Sequence, residues 1–559
     1  MEHSAGVVII LILTCSVSGS LRQSEEKEID LTPGNPSSIS VPGNSRVNLA
    51  VQSIPDDKTH IVCQIHSHKD ALALSLSPSL SPDSTETGTD VGVTTVLSMG
   101  QTDMSWYIKS NHNHTVQALV TVIWYTLKSP IPGGCNFEFK YENDPNFHLT
   151  FDSTKTLTRF QWSSHGRSRS RAPDPDDCEH LSKPLQYDMY VYYLPGGDFS
   201  QQKHFAGIQK MMTVADVLKN GKKLRSLTDD KTTTISDLTM SSYTGQGTIY
   251  NIIVTDTKLG PDSRAAYVPV ATYACDLDNT DKCHMIGTGG KVLAVFGGML
   301  GLFLVILGHR FFRTSTFLAA FLGFGLISVI LFERLTTQSI VVVMVLSAVI
   351  GVVMATGWLA LWWCHGIHTI TVLFTSLTCG YIISSIVFFS PLGNLNYWNR
   401  EFNYGMTFTV GVLIIPVLLL YFTKHLSILS CTFLGGYLVC ITVDVFLESG
   451  LKYIILNSVR HAIAPDYLSV IVTGPYLTAD IALTFLWGFL FIGGSIFQLL
   501  RERGKPDFPE STRKNRRRRQ LEIEEERQSL LGSGRPILYS SSDQTRINTP
   551  RTELSPPVS

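Results

Sequence analysis

The sequence is poor in charged residues. Only 16% of its 559 residues are Asp, Glu, Lys or Arg, whereas soluble domains have roughly 25%. The shortage is local, because residues 292–500 form a series of apolar runs while both flanks have ordinary composition. This pattern excludes a wholly soluble protein and predicts a soluble front, a membrane-embedded back and a polar tail. The net charge of −1 says nothing about partners, since the charges are segregated by region.

The sequence also lacks the common catalytic motifs: there is no GxSxG, no P-loop, no HExxH and no CxxC pair. No residue pattern therefore indicates catalysis, and we expect no cofactor. His66 and His68 would share one strand face as half of a metal site, but no third ligand is evident, which favours a solvated pair. Cys364, His365 and His368 could also hold a metal, although a tight turn between two spans is the favoured interpretation.

The first residues have the pattern of a secretory signal, although "MEHS" contains no Lys or Arg. The apolar core from Ala5 to Cys15 is too short to span a bilayer. Small residues follow it at Ser18, Gly19 and Ser20, as cleavage requires. We predict a signal peptide at residues 1–20 that is removed; an uncleaved anchor is the alternative.

Seven apolar segments are long enough to cross the hydrocarbon core as helices, which takes roughly 17–25 residues each. They are Val292–His309, Thr314–Phe332, Ser339–Trp363, Ile367–Phe389, Tyr404–Phe422, Leu426–Leu447 and Ala479–Leu500. The stretch 449–477 is apolar at helical spacing but is broken by Lys452, Arg460 and Pro465, so we predict an interfacial helix and a loop there. The predicted bundle covers residues 292–500, and the tail covers 501–559.

The basic residues predict the orientation of the bundle. If the front is luminal or extracellular, the cytoplasmic connectors and the start of the tail are the more basic ones, in agreement with the positive-inside rule. The residues concerned are Arg310, Arg313, Lys424, Arg501, Arg503 and Lys505. An odd number of spans then places the tail in the cytosol.

Few charged residues lie inside the spans. Asp444 and Asp480 are candidate functional groups because buried charges in a bilayer are costly; the alternative is that both reach interfacial water near a span end. The span interiors supply no histidines, which disfavours a zinc-dependent membrane hydrolase. Charged residues are also too few to mark an ion path. Gly297 and Gly301 form a GxxxG pair that favours packing within the bundle over a dimer face.

Residues 21–291 alternate like a β protein, with turns rich in Pro, Gly, Asn and Asp. Their length favours two β-sandwich domains, which we place at 21–145 and 146–291. One stretch, Gln201 to Gly221, has a helical pattern ended by a glycine. The fold class is therefore an all-β ectodomain followed by a seven-helix bundle and a disordered tail.

The front half carries one acceptor for N-glycosylation, at Asn113. It also has five cysteines in an oxidising compartment, so disulfides are expected. Short loop distance favours Cys275–Cys283, and Cys135–Cys178 is our second choice. Cys63 is then left as a buried thiol in a strand; a free thiol that seeks a partner is the alternative.

The tail carries a run of charge followed by two leucines. In the cytosol, the basic patch formed by Arg516, Arg517, Arg518 and Arg519 would contact anionic headgroups. Glu526 with Leu530 and Leu531 has the spacing of an acidic dileucine signal read by clathrin adaptors. A solvated amphipathic turn is the alternative. We expect the lipid bilayer, clathrin adaptors and an unidentified luminal protein as partners, and no nucleic acid.

The topology of seven spans also suggests a G-protein-coupled receptor. The third span ends "WLALWWCHG" without a D-R-Y-like triplet, and the seventh has no N-P-x-x-Y. The connectors on the predicted cytoplasmic side are only a few residues long. A receptor of this class is therefore disfavoured, although an orphan receptor that senses a ligand through its β domains remains the second hypothesis.

A set of motifs resembles one family over nearly the whole chain. They are "IPGGCNFEF", "GQGTIYNIIV", "AAYVPVATYAC", "GHRFF", "FFSPLGNLNYW" and "RERGKPDF". Together they look like the transmembrane 7 superfamily member 3 proteins. The resemblance implies a non-enzymatic multi-pass membrane glycoprotein that supports cell survival and attenuates endoplasmic-reticulum stress and the unfolded protein response. It also implies protection of pancreatic β-cells from cytokine-induced death and promotion of insulin secretion. We expect the protein at the plasma membrane, with endosomal cycling by way of the dileucine signal. The family has no catalytic residue to carry over.

Overall fold

The structure is a computed structural model that describes residues 28–81, 84–135, 143–170, 178, 185–228, 235–508 and 512–532. The predicted signal peptide lies outside these residues. The described chain begins with β strands, continues with long apolar helices and ends with a polar helix in the tail.

The first β domain is a sandwich of two sheets. Its strands are β1 (Glu28–Asp30), β2 (Ser37–Val41), β3 (Arg46–Val51), β4 (Lys58–Ser67), β5 (Leu72–Ser75), β6 (Thr85–Gly88), β7 (Asp90–Val96), β8 (Met104–Ser110) and β9 (Val116–Thr126). One sheet has the order β1-β3-β8-β5-β6 and the other β2-β9-β4-β7. The core between them is aliphatic around Trp106, which is fully buried.

The second β domain is also built from two sheets. Its strands are β10 (His148–Phe151), β11 (Lys155–Gln161), β12 (Leu185–Tyr193), β13 (Lys222–Thr228), β14 (Ile235–Ser241), β15 (Thr248–Asp256), β16 (Arg264–Ala266) and β17 (Val270–Thr272). The sheet orders are β10-β11-β14 and β13-β12-β15-β16, with β17 also paired to β15. The core is rich in aromatic rings, including Phe160, Trp162 and Tyr267.

The helical stretch predicted from Gln201 to Gly221 is two helices, α1 (Gln201–Gln209) and α2 (Val214–Asn220). The break has a local cause. The Thr213 hydroxyl accepts a hydrogen bond from the Asp216 amide at 3.1 Å, so Thr213 starts a new helix as its N-cap.

The two β domains are packed face to face. In β4, Ile61, Cys63 and Ile65 point into the first core, whereas Val62 belongs to the second core, and all four are buried. A strand that faces two cores is buried on both sides, which explains why the polar residues of its second face, His60, Gln64 and His66, are buried as well.

An arginine from the second β domain strengthens this interface. The Arg169 guanidinium donates to the carbonyls of Lys58 at 2.6 Å, Gln101 at 2.9 Å and Pro55 at 2.7 Å. Pro55 and Gln101 lie in the loops before β4 and β8 of the first β domain, and Lys58 is the first residue of β4. Charge-assisted bonds in this fork geometry are stronger than neutral ones, so Arg169 fixes the two domains together.

The second half of the chain is helical. The apolar helices are α3 (Thr288–Leu307), α4 (Phe312–Leu335), α5 (Ile340–His365), α6 (His368–Phe389), α7 (Glu401–Leu419), α8 (Thr423–Leu447) and α10 (Thr478–Arg501). A shorter helix, α9 (Lys452–Ile463), lies between α8 and α10, as predicted for an interfacial helix. The tail forms α11 (Thr512–Gly532).

Six helical stretches of the described residues are long and apolar enough to cross a membrane, and one of them, Glu401–Leu447, has 47 residues. At 1.5 Å per residue that stretch is about 70 Å long, more than twice the roughly 30 Å of a hydrocarbon core. A 3-10 turn at Leu420–Phe422 divides it into α7 and α8. Counting it as two spans gives the seven predicted from the sequence.

The described chain packs as two compact units. The first holds both β domains together with 381–412 and 435–491, and the second holds 304–380, 413–434 and 492–532. In the first unit, a Cβ added at Gly301 of α3 would lie 2.6 Å from the Gly435 carbonyl of α8. The glycine therefore allows these two backbones to touch, which is packing within the bundle.

Candidate functional site at the junction of the second β domain and the bundle

A short extended segment between α9 and α10 adds to the sheet of the second β domain. The Ile471 amide donates to the Thr239 carbonyl at 2.9 Å, and the Ser241 amide donates to the Ile471 carbonyl at 3.1 Å. The pairing is parallel and centred on Met240. A loop of the membrane domain thus acts as a strand beside β14.

The other side of this segment is held by Asn394, which follows α6. The Val472 amide donates to the Asn394 side-chain carbonyl at 2.8 Å, and the Asn394 amide donates to the Val472 carbonyl at 2.7 Å. One residue further on, the Tyr193 hydroxyl of β12 donates to the Thr473 carbonyl at 2.6 Å. The segment Ile471–Thr473 is therefore fixed by the β domain and by the connector that carries Asn394. We call it the junction segment.

Arg460 is the second anchor of the junction. It lies in the last turn of α9, and its guanidinium donates to the carbonyls of Ser153 at 2.7 Å, Ser242 at 2.7 Å and Thr154 at 3.4 Å. These carbonyls belong to turns at the ends of β10, β11 and β14. An arginine that bridges three main-chain acceptors specifies one geometry and gives charge-assisted bonds.

An ion pair joins Lys155 of β11 to Asp466 at 2.6 Å, but both side chains are largely exposed. Exposed pairs add little to stability because water screens them. The hydrogen bond to Asp466 raises the pKa of Lys155, and the same bond lowers the pKa of Asp466. The charge-assisted bonds of Arg460, two of them partly buried, and the contacts of the junction segment therefore contribute more to the junction.

Aromatic rings fill the space around Arg460. Tyr243 and Tyr453 lie with their ring centroids 4.4 Å apart. His461 is stacked on Tyr404 at 4.6 Å and meets Tyr467 edge-on at 4.8 Å. Burial lowers the pKa of His461 to about 4, so the imidazole is neutral at physiological pH.

The two carboxylates predicted inside the spans are both fully buried. Asp444 accepts hydrogen bonds from the Ser449 hydroxyl at 2.7 Å and the Leu451 amide at 2.9 Å, and the Lys452 ammonium lies 3.7 Å away. Asp444 therefore lies at the end of α8 as an acceptor for main-chain donors of the following turn, a role similar to that of a helix cap.

Asp480 plays the same part from the first turn of α10. It accepts from the Gly450 amide at 2.6 Å and from the Leu477 amide at 2.9 Å. Asp444 and Asp480 thus hold the turn 448–451 from two helices. Beside it, Glu448 has a left-handed backbone, with φ at 51°, and its carboxylate meets His284 at 2.8 Å. Such strain in a residue other than glycine persists only where its surroundings fix it.

The histidine pair proposed as solvated is not solvated. The His66 side chain is fully buried, and its Nδ1 lies 2.8 Å from the Asp90 carboxylate. Asp90 also accepts from the Ala271 amide at 3.1 Å, which links β7 to β17 of the second domain. His68 is partly buried, with its ring centroid 5.1 Å from that of His204 in α1. The packing of the two β domains covers this strand face, which alternation alone does not reveal.

The cysteines form two disulfides, Cys135–Cys178 and Cys275–Cys283, with Cα–Cα distances of 5.5 and 5.3 Å. Cys63 is a free and buried thiol. Burial raises its pKa well above the usual range, which keeps it protonated.

The remaining predicted sites lie on the surface or outside the described part. Asn113 is exposed in the loop between β8 and β9, where its side-chain carbonyl accepts from Asn44 at 2.9 Å. In α11, Arg518, Arg519 and Glu526 are exposed, and Arg518 forms an ion pair with Glu522 at 3.4 Å. The side chains of Arg516, Arg517, Leu530 and Leu531 lie outside the described residues.

The junction itself is missing from the sequence-based predictions. Its contacts use main-chain groups far apart in the sequence, which leave no local pattern. One signal was present: Arg460 interrupts an otherwise apolar helical stretch. The motif "FFSPLGNLNYW" also contains Asn394, and its structural role is now clear.

Two packed β domains followed by an apolar helical bundle define a multi-pass membrane protein with a β-rich N-terminal region. Three family models match the chain in order. They are an N-terminal immunoglobulin-like domain of the TM7SF3-like type at 27–125, a second one at 130–278, and a TM7S3/TM198-like domain at 294–499.

The chain belongs to the transmembrane 7 superfamily member 3 family. It is 36% identical to the Rattus norvegicus protein of that name over 82% of this chain and 81% of the relative. The Mus musculus protein is 33% identical over 90% and 89%, and the Homo sapiens protein is 34% identical over 82% and 80%. A solved glycoside hydrolase domain, Endo-D of Streptococcus pneumoniae R6, is 10% identical, covers 43% of this chain and 34% of its own, and has a TM-score of 0.13, too low to carry an argument.

Proposed function

We propose that the protein is a non-enzymatic homeostatic factor that attenuates endoplasmic-reticulum stress and the unfolded protein response. By the same proposal it protects cells from cytokine-induced death and promotes insulin secretion in pancreatic β-cells. Membership of the family, which spans both β domains and the bundle, is the observation that supports this proposal. The junction supports a mechanism in which the β domains act as one body with the end of α8, with α9 and with the start of α10.

We also propose where the protein acts. The basic connectors and the signal-like start favour β domains on the luminal or extracellular side and a cytosolic tail. The plasma membrane, with cycling through endosomes by way of clathrin adaptors, is the proposed location. A luminal protein is the proposed partner of the β domains.

The test uses insulin-secreting cells depleted of the protein and carrying a reporter of the unfolded protein response. Depletion should raise the reporter signal, and the wild-type chain should restore it. Arg460→Ala should restore it less, because the variant loses three bonds across the junction. Arg400→Ala, an exposed arginine in the connector before α7, is the matched control. An unchanged reporter signal on depletion would contradict the homeostatic function.

The second candidate function is that of an orphan receptor. The observation that favours it is the junction segment, through which a ligand on the β domains could shift α9 and α10. Ligand-dependent recruitment of a G protein or an arrestin in cells would support this class. If neither is recruited while depletion heightens stress signalling, the homeostatic function is favoured.

A further inference from the structure

A cleft of about 360 Å³ opens where the two β domains meet, beside the edge strand β7. Its walls include Thr94, Thr95 and Val96 of β7, Glu86 of β6, and Asp144 of the second domain. The volume is in the range of pockets that bind ligands in other proteins. It lies far in sequence from the junction and has no part in the contacts described there.

The side chain of Asn146 forms hydrogen bonds with the main chain at the edge of β7. The Gly92 amide donates to the side-chain carbonyl of Asn146 at 2.7 Å, and the Asn146 side-chain amide donates to the Gly92 carbonyl at 2.9 Å. A carboxamide has the same donor and acceptor as a peptide group. Asn146 therefore pairs with β7 as one residue of an added strand would.

Further along β7, the main-chain groups of alternate residues point away from β4, as those of Gly92 do. β7 pairs with β4 in antiparallel register, with Gly92 opposite Gln64 and Thr94 opposite Val62. Main-chain groups of an edge strand point outward at every second residue. Since those of Gly92 point outward to Asn146, those of Thr94 and Val96 point outward too, along the cleft.

Two hydroxyls at this edge are unsatisfied. The side-chain oxygens of Thr94 and Thr95 are buried and have no hydrogen-bond partner among the described residues. Thr94 is only 4% exposed. A buried polar group without a partner is rare and costs stability, so it calls for an explanation such as a ligand.

We propose that the edge of β7 from Thr94 to Val96 binds an extended peptide segment of a partner protein by strand addition. The peptide's main chain pairs with the outward groups of Thr94 and Val96, and one of its side chains enters the cleft and meets the Thr94 hydroxyl. Asn146 already occupies the position of Gly92 and so limits the bound strand at that end. The free edge spans only about 7 Å, which makes the site selective for a short segment.

A protected edge is the competing explanation. Proteins keep exposed edges short to avoid aggregation, and a short edge beside a water-filled cleft would look the same. The two explanations differ in one respect. Only a binding site will protect the amides of Thr94 and Val96 when a peptide is added.

The experiment is hydrogen exchange with residue resolution on the full-length protein in lipid nanodiscs. The probe is a pool of acetylated and amidated hexapeptides with Thr or Val at alternate positions and varied residues between them, at millimolar concentration. In the free protein the amides of Thr94 and Val96 should exchange rapidly. With the pool they should slow by roughly tenfold, the factor that one backbone hydrogen bond gives. A pool carrying N-methyl groups at alternate residues should give no protection.

Two variants and one control complete the test. Thr94→Pro removes an outward amide from an edge position, where proline is tolerated, and should weaken pool binding by roughly tenfold. Thr94→Val keeps the shape without the hydroxyl and should weaken it less, which keeps the test valid if the proline variant does not fold. Thr87→Val changes an exposed threonine of β6 and should change nothing. Absent protection of Thr94 in the wild-type protein, or equal protection by the N-methylated pool, would overturn the proposal.

Discussion

At the scale of residues, the protein relies on side chains that satisfy main-chain groups of distant segments. Arg169, Arg460, Asn394 and Asp480 do this, and Asp444 does the same for the turn that follows its own helix. In each case one polar side chain fixes a turn or a loop that has no regular secondary structure. Removing such a side chain leaves buried main-chain donors or acceptors without a partner, which costs more than the hydrogen bond itself contributed.

Asn394 gives a direct test of this principle. We expect Asn394→Ala to destabilise the junction by about 1–3 kcal/mol, because the amide and carbonyl of Val472 both lose their partner. Hydrogen exchange should show faster exchange at Ile471 and Val472. Asn399→Ala, at an exposed position of the same connector, is the control and should leave both amides unchanged. Slow exchange at Val472 in the Asn394 variant would contradict the assigned role.

Buried histidines predict how stability depends on pH. Burial lowers the pKa of His60 to about 3 and that of His204 to about 4, both below the usual 6.5. The unfolded chain therefore binds protons that the folded chain does not. The free energy of unfolding therefore has its full value, as far as these two histidines are concerned, above pH 6.5. It decreases as the pH falls towards 4, by up to about 1.4 kcal/mol per pH unit for each histidine.

His60→Phe should reduce this loss. The phenyl ring can keep the stacking on Tyr125, whose ring centroid lies 5.1 Å away, but it does not titrate. The melting temperature of the variant should fall less steeply than that of the wild type as the pH is lowered from 6.5 to 4.5. The same change at His114, whose side chain is 61% exposed, is the control. Equal slopes for wild type and His60→Phe would show that folding does not lower the pKa of His60.

At the scale of elements, helices and strands were easier to predict than their partners. Hydrocarbon requires every span to satisfy its own main chain, so long apolar runs predict helices directly. The short helix α9 followed from the helical spacing of its apolar residues. The break between α1 and α2 could not be predicted from the sequence, because a capping threonine inside a helical pattern is a weak signal.

The tail helix α11 carries the candidate sorting signal, which stays a proposal. We expect the double variant Leu530→Ala and Leu531→Ala to raise the surface pool at the expense of endosomes, since an adaptor slot would lose both leucines. Surface biotinylation and antibody uptake measure this shift. Leu521→Ala with Ile523→Ala changes two exposed apolar residues of the same helix and is the matched control. Unchanged uptake in the dileucine variant would exclude the signal.

At the scale of the whole molecule, the β domains and the ends of several helices form one compact unit. The arrangement places the junction segment, Arg460 and the two aspartates in a continuous set of contacts from β14 to α10. A signal received by the β domains could travel along these contacts without a flexible linker. The proposed functions both depend on the orientation of this unit in the membrane.

That orientation can be tested on intact cells. We expect Asn113, which is exposed, to carry an N-glycan that an endoglycosidase removes. Asn113→Gln should run at the deglycosylated mass without treatment. An epitope appended to the tail should be reached by antibody only after permeabilisation. Staining of the tail on intact cells would contradict the positive-inside prediction.

The sequence by itself determined the class of the molecule. Apolar runs, period-two alternation and turn residues set seven helices behind two β domains, because these patterns act locally and the bilayer permits few alternatives. Only the tertiary structure decided the junction. Ile471 and Thr239 lie far apart in the chain, and a hydrogen bond between main-chain groups leaves no mark on residue type. The burial of His66 and the edge of β7 were decided in the same way, by which faces the folded domains cover.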